Sequence, residues 1–127
     1  MATKKIIQTD KAPAPIGPYN QAVLAGDTLY ISGQIALHPE TGVLHTNSIQ
    51  EETELVMKNL GAVLKAAGMD YSHVVKCSIF ISDMQQFTQI NEVYGRYFQE
   101  QAPARETVQV AVLPKNVNVE ISAIASF

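Results

Sequence analysis

The sequence predicts an α+β fold, a mixed sheet with two helices on one face, and three features carry that expectation. Residues 48–67 and the stretch after Asp83 place apolar side chains at helical spacing. Residues 28–37, 74–82, 105–113 and 117–126 alternate apolar with polar side chains, the period of half-buried strands. The 127 residues, 46% hydrophobic and 17% charged, have the size and balance of one domain with its own core, so 1–127 is read as a single unit.

Taken in order, the chain opens with a strand near residues 4–9. The Pro-rich piece at 11–19, KAPAPIGPY, is too short to separate domains and reads as an ordered loop. In TLYISGQIAL at 28–37, Leu29, Ile31, Ile35 and Leu37 share one face with Gly33 in their row, while Tyr30, Ser32 and Gln34 take the other. Pro39 and Gly42 mark a turn. Ile49, Thr53, Val56, Leu60, Val63, Leu64 and Ala67 form a helical stripe, with Ser48 and Glu51 as a Ser-x-x-Glu capping box and Gly68 as its stop. VVKCSIFIS at 74–82 puts Val75, Cys77, Ile79 and Ile81 on one side of a strand. Asp83 then caps a second helix with the stripe Met84, Phe87, Ile90, Tyr94, Tyr97 and Phe98, bounded by Pro103. The last two strands, joined across Pro114, Lys115 and Asn116, read as a hairpin, giving the order β-β-α-β-α-β-β.

Hairpin parity places Val108, Val110 and Val112 on the face of Val117, Val119 and Ile121, and burying both rows under the helices fixes the register. The other face collects Arg105, Thr107 and Gln109 with Asn118, Glu120 and Ser122. A tight turn sets Gln109 beside Glu120 and leaves Arg105 about four residues, roughly 13 Å, along the sheet. The gap between guanidinium and carboxylate suits a small carboxylate ligand and a water. Tyr30, Ser32, Gln34, Lys76, Ser78 and Phe80 extend the same face, polar yet poor in charge, as expected of a face covered by other copies of the chain. A homo-oligomer is therefore expected, with the ligand gap at a subunit boundary.

IGPYNQAV at 16–23, LYISGQIAL at 29–37, FTQINEVYGRYF at 87–98, PAR at 103–105 and VEISAIA at 119–125, in order and nearly end to end, resemble the RidA (YjgF) family of reactive intermediate deaminases. The resemblance implies a chorismate-mutase-like fold, a homotrimer whose sheets line a central barrel, and three clefts between subunits. It also implies cofactor-free hydrolysis of 2-enamine and 2-imine acids, such as 2-aminoacrylate and 2-iminobutanoate, to 2-keto acids and ammonia. Carried over by position, Arg105 would hold the substrate carboxylate, a role suited to the bidentate reach of a guanidinium. Glu120 would position or activate the attacking water. Tyr19, from a neighbouring subunit, would orient substrate or water, and Ser32 with Gly33 would form a wall where the missing side chain lets substrate approach the backbone. Phe87 matches an aromatic lining residue. Read without the resemblance, Arg105 is a charge at a strand start, Glu120 a salt-bridged acid, Tyr19 a turn residue, Ser32–Gly33 a β-bulge and Phe87 a core residue.

The chain departs from the family where Glu106 and Thr107 follow the arginine in place of Ser-Cys or Ser-Thr, and where Val112 replaces a common arginine. Imine hydrolysis needs water and charge stabilisation and no thiol, so Thr107 is expected to serve through its backbone N–H. Glu106 should face away from Arg105 by alternation.

Other classes are disfavoured. A net charge of −3 with no Lys/Arg cluster does not suit a nucleic-acid partner. A single cysteine, Cys77, fits a reducing compartment and an inert buried thiol, and the absence of a leader-like or membrane-length apolar run makes cytoplasm the expected location. His38, His45 and His73 lack ligand spacing, so no metal and no cofactor is expected. The main rival is a non-catalytic trimer that binds 2-keto acids and regulates another protein, separated from a deaminase only by the chemistry of Glu120. A ribonuclease reading is opposed by the acidic balance and the absence of paired catalytic histidines.

Overall fold

The computed structural model describes residues 3–127. Six strands form one sheet: β1 Lys4–Ile7, β2 Ala22–Ala25, β3 Thr28–Gln34, β4 Val74–Ile81, β5 Ala104–Gln109 and β6 Val119–Ser126. Their spatial order is β1-β2-β3-β6-β4-β5, antiparallel throughout except for the parallel pair β4–β5. Helices α1 Ile49–Ala66 and α2 Phe87–Gly95 pack on one face, which confirms the α+β class. Among the described residues no helix is long and apolar enough to cross a membrane.

The core forms between α1 and the inward rows of the three central strands. Val56, Met57, Leu60, Val63 and Leu64 are fully buried against Leu29, Ile79, Ile81, Val119, Ile121 and Ala125. Burial of each large aliphatic side chain contributes about 1.5–3 kcal/mol, so this stripe places the helix. Ser48 caps it by accepting the Glu51 N–H at 3.1 Å, but the Glu51 carboxylate turns to the Ser48 hydroxyl and not to its backbone, so only half of the capping box forms. Gly68, at φ 78, ends the helix as expected.

Several local expectations are corrected. Strand β2 was absent from the predicted order: its four residues, AVLA, give no readable alternation, and only the Gly26 turn, at φ 61, ties it to β3. In β4 a register shift between Val74 and Lys76 buries Val74 and leaves Val75 50% exposed, so Val75 drops out of the predicted row while Cys77, Ile79 and Ile81 keep it. In β3 a bulge between Ile31 and Gln34 turns Gln34 inward, opposite Ile121. Asp83 caps a short 3-10 turn, accepting the Gln85 N–H at 2.9 Å, so α2 begins at Phe87 and ends at Gly95, well before Pro103.

The largest correction concerns the end of the chain. Strands β5 and β6 are not a hairpin, because β4 lies between them and pairs with both. The connection crosses the end of β4, where Val110 N–H bonds the Ile81 carbonyl at 2.9 Å and Ser82 N–H bonds the Asn118 carbonyl at 3.0 Å. Parity in β5 is consequently inverted. Arg105, Thr107 and Gln109 lie beside Cys77, Ile79 and Ile81 on the helix face, while Val108 points to the other face and stays 41% exposed. As an edge strand mostly beyond the reach of the helices, β5 buries neither row, and its apolar residues do not choose its orientation.

The crossover is secured by Glu52, fully buried on α1. Its carboxylate accepts the Asn118 N–H and side-chain Nδ2–H, each at 2.7 Å, and the Val119 N–H at 3.2 Å. Glu52→Ala strands these donors without solvent and is expected to cost about 3 kcal/mol in denaturant unfolding. Glu52→Gln, which keeps one carbonyl acceptor, should cost less.

Candidate functional site

The expected site residues gather in two places. The first is an open cleft of about 420 Å³, where Tyr19, Ser32 and Gly33 face Glu120, with Ile16, Ile35 and Pro114 alongside. The bulge in β3 creates it, because two residues of β3 stand against one of β6 and bring the Ser32–Gly33 backbone next to the Glu120 side chain. A Cβ at Gly33 would sit 2.8 Å from Glu120 Cδ and 2.9 Å from Oε2, so only glycine permits this approach.

The loop before β2 is held against this bulge by polar bonds. Ser32 donates its hydroxyl to the Asn20 carbonyl at 2.6 Å and its N–H to the Gln21 carbonyl at 2.9 Å. Buried Gln21 accepts the Thr9 N–H at 2.7 Å and donates to the carbonyls of Thr9, Ala12 and Pro13 at 3.0, 3.2 and 2.8 Å. Tyr19, 47% exposed, accepts the Ile16 N–H on its hydroxyl at 3.3 Å, which ties together two residues that line the cleft. Half-buried Glu120 has its carboxyl raised above the ordinary carboxylate range by loss of solvent, with no charged partner contributing. Burial therefore makes this carboxyl a better proton acceptor than a solvated one.

The second cluster lies where β5 passes α2. Phe87, Asn91 and Tyr94 recur at helical spacing on one face of α2. The Arg105 guanidinium sits 5.0 Å from the Tyr94 ring centroid and 5.6 Å from that of Phe87, and its Nη1 donates to Asn91 Oδ1 at 2.6 Å. Because Asn91 engages a single N–H of the guanidinium, other donors stay available for a carboxylate. Thr107 is two residues along the same row, and its buried Oγ1, like the buried Tyr94 hydroxyl, has no hydrogen-bond partner. Burial also pushes the Tyr94 hydroxyl and the neighbouring Cys77 thiol upward, leaving both neutral.

These clusters are on opposite faces of the sheet. Glu120 pairs with Phe80 on the face away from the helices, whereas Arg105 pairs with Cys77 on the helix face. The expectation that Arg105 and Glu120 project from one face of a single chain is therefore overturned, and Gln109 is not beside Glu120 but accepts the Met84 N–H at 2.7 Å. The crossover connection, which replaces the hairpin, is the cause. Glu106 does face away from Arg105, bonded by the Ser78 hydroxyl and 3.2 Å from Lys76 Nζ, contacts that lower its carboxyl. Sequence reasoning missed Asn91 and Pro114; spacing of i+4 from Phe87 was the available signal for Asn91.

His38 and His45 meet edge to face with ring centroids 5.1 Å apart, and His45 Nε2 lies 3.6 Å from Glu51 Oε1. Their groove also contains Glu54, Lys58 and Arg96. His73 stands apart, its Nδ1 accepting the Asp70 N–H at 3.1 Å within a cap.

Comparison with known proteins adds a family. The family model described as endoribonuclease L-PSP matches residues 9–127. The mouse protein named 2-iminobutanoate/2-iminopropanoate deaminase is 51% identical over 122 residues, covering 96% of this chain and 90% of its own. The Arabidopsis thaliana protein named Reactive Intermediate Deaminase A, chloroplastic, is 47% identical over 123 residues, 97% of this chain, which spans 66% of that longer relative. The crystal structure of E. coli TdcF with bound serine superposes with a TM-score of 0.93 at 43% identity, covering 97% of this chain and 98% of that one. With the match running almost the full length in sequence and in fold, the chain belongs to the endoribonuclease L-PSP family, which includes the RidA/YjgF deaminases.

Proposed function

We propose that the protein is a 2-imino-acid deaminase, converting 2-enamine and 2-imine acids to 2-keto acids and ammonia, with each active site formed where the Glu120 cleft of one copy meets the Arg105 cluster of another. The observation that carries this reading is the pair of half-sites, one acidic and one basic, set on opposite faces of one sheet. Each lacks what the other holds. A closed symmetric ring, a trimer by family likeness, joins unlike surfaces of successive copies and so completes every site. Two relatives are named as deaminases of this class, and serine, seen in E. coli TdcF, has the carboxylate and C2 nitrogen of 2-aminoacrylate.

In this reading Arg105, held flat by Tyr94, Phe87 and Asn91, takes the substrate carboxylate, and the Thr107 N–H adds a donor. The imine carbon, C2, then lies over the cleft, where Glu120 removes a proton from water as its oxygen adds to C2. Starting from the iminium form, the same carboxyl returns that proton to the nitrogen of the carbinolamine. It then takes the C2 hydroxyl proton as the C–N bond breaks, so that ammonia leaves a C2 carbonyl and carries the proton away as ammonium. Tyr19 orients water or substrate, and the Ser32–Gly33 backbone lines the approach. Compartment varies among relatives, since the Arabidopsis protein is named chloroplastic; cytoplasm is proposed here from the single cysteine.

Nucleic acid is not favoured as substrate. The groove around His38 and His45 mixes Glu51 and Glu54 with Lys58 and Arg96, a field poorly matched to phosphate backbones. A sensor that binds keto acids without turnover would leave the raised carboxyl of Glu120 unexplained.

Glu120→Gln is expected to bind 2-keto acids normally in calorimetry yet lose about a hundredfold or more in imine hydrolysis, followed with imine released by a threonine dehydratase; unchanged turnover would reject the role. Because Glu120 works ionised and burial raises its carboxyl, activity should fall as pH drops through a midpoint above that of free glutamate, an acid limb that Glu120→Gln abolishes. Arg105→Ala and Glu120→Gln should each be inactive, but unfolding and refolding them together should regain activity at about a quarter of the sites, as random assembly around a ring requires. Zero recovery would place both residues in one copy's site.

A further inference from the structure

Gln34 breaks the pattern of its own strand. It stands in the inward row of β3 after Leu29 and Ile31, opposite fully buried Ile121, and is itself only 5% exposed. An aliphatic side chain there would add to the core, whereas an amide loses its hydration and has to be bonded. Places where a chain gives up core packing in this way are commonly functional.

The β3 bulge accounts for the position. Between the pairs Ile31–Ala123 and Gln34–Ile121, two residues of β3 oppose one of β6, which moves Gln34 inward and carries Ile35, expected on the core face, into the cleft. Once inward, the side chain turns back on its own strand, and Nε2 donates to the Ser32 carbonyl at 3.1 Å. That bond closes the bulge from one side. From the other, the Ser32 hydroxyl and N–H tie it to the carbonyls of Asn20 and Gln21.

The bulge in turn covers Glu120. Gly33 lies so near that an added Cβ would come within 2.9 Å of Glu120 Oε2, so this stretch of backbone shields one side of the carboxylate from solvent. Charge plays no part in that environment. Phe80 flanks Glu120 on β4, and Tyr19 is the other titratable side chain lining the cleft among the described residues. Loss of solvent alone raises the carboxyl.

We propose that Gln34 is a positioning residue for the reaction: its amide, bonded to the Ser32 carbonyl, holds the bulge against Glu120 and keeps that side of the carboxylate dry. Its consequence for turnover rests on the deaminase reading; its hold on the carboxylate does not. A dry carboxylate accepts a proton more readily than a solvated one, so a loosened bulge weakens the base while leaving the Arg105 anchor intact.

The test follows isotope-labelled glutamate carboxyls by NMR through a pH titration, with the Glu120 signal assigned by its loss in Glu120→Gln. Gln34→Met, close in shape and lacking the donor, should melt at or above the temperature of the natural protein yet titrate Glu120 at a lower pH, nearer to free glutamate. The acid limb of imine hydrolysis should move down with it, and kcat should fall about tenfold. An unmoved Glu120 midpoint in folded Gln34→Met overturns the proposal, because a merely structural glutamine would change melting alone. Should that variant fail to fold, the side-chain protons of Gln34 in the natural protein decide. The bonded one should exchange with solvent at least about tenfold more slowly than those of an exposed glutamine, and equal rates overturn the proposal. A protein that hydrolyses no imine fails the deaminase reading instead, and the titration still decides the part played by Gln34.

Discussion

One buried carboxylate fixes the chain beside the Glu120 cleft. Glu52 reaches from α1 to the point where the crossover from β5 becomes β6, and it accepts the donors that this crossing leaves without strand partners. Buried backbone N–H groups need an acceptor, and no neighbouring strand supplies one there. Since Val119 is among the bonded residues and Glu120 is next, the same contact sets where the acid leaves the sheet. The arrangement recurs elsewhere. Gln21 and Asn59, both buried, act as substitute backbone for the loop before β2 and the segment after β3. Three polar side chains inside the core thus fix three irregular segments around the cleft.

Legibility in the sequence followed burial. Helix α1 and the inward rows of β3, β4 and β6 were readable because each has one face pressed on the core, so apolar spacing reports orientation. Strand β5 has no such face. Val108 on one side and Arg105 and Gln109 on the other are exposed, with only Thr107 half-buried, and alternation alone cannot say which row turns toward the helices. Nor does alternation distinguish a hairpin from a crossover past an intervening strand, which is why Glu120 and Arg105 were expected on one face. The grouping of Tyr19, Ser32, Gly33 and Glu120 was legible through the motifs and the parity of β6; the shift that puts Ile35 with them was not, because a bulge adds a residue without altering composition.

The separation of acid from base has a physical logic of its own. Placed within reach in one chain, Arg105 and Glu120 would pair, lowering the carboxyl that burial now raises. Opposite faces of a sheet keep them apart. Glu106 illustrates the contrast, since its contacts with Ser78 and Lys76 hold it firmly ionised.

Sandwiched above two rings and tethered to Asn91, the Arg105 side chain has surrendered its rotational freedom during folding. Flexible arginines forfeit such entropy upon each encounter, a substantial toll against the few contacts a tiny metabolite offers. If Arg105 takes the substrate carboxylate as proposed, that ordering precedes the encounter. Capture and release should then be quick, a useful trait in a scavenger of short-lived molecules.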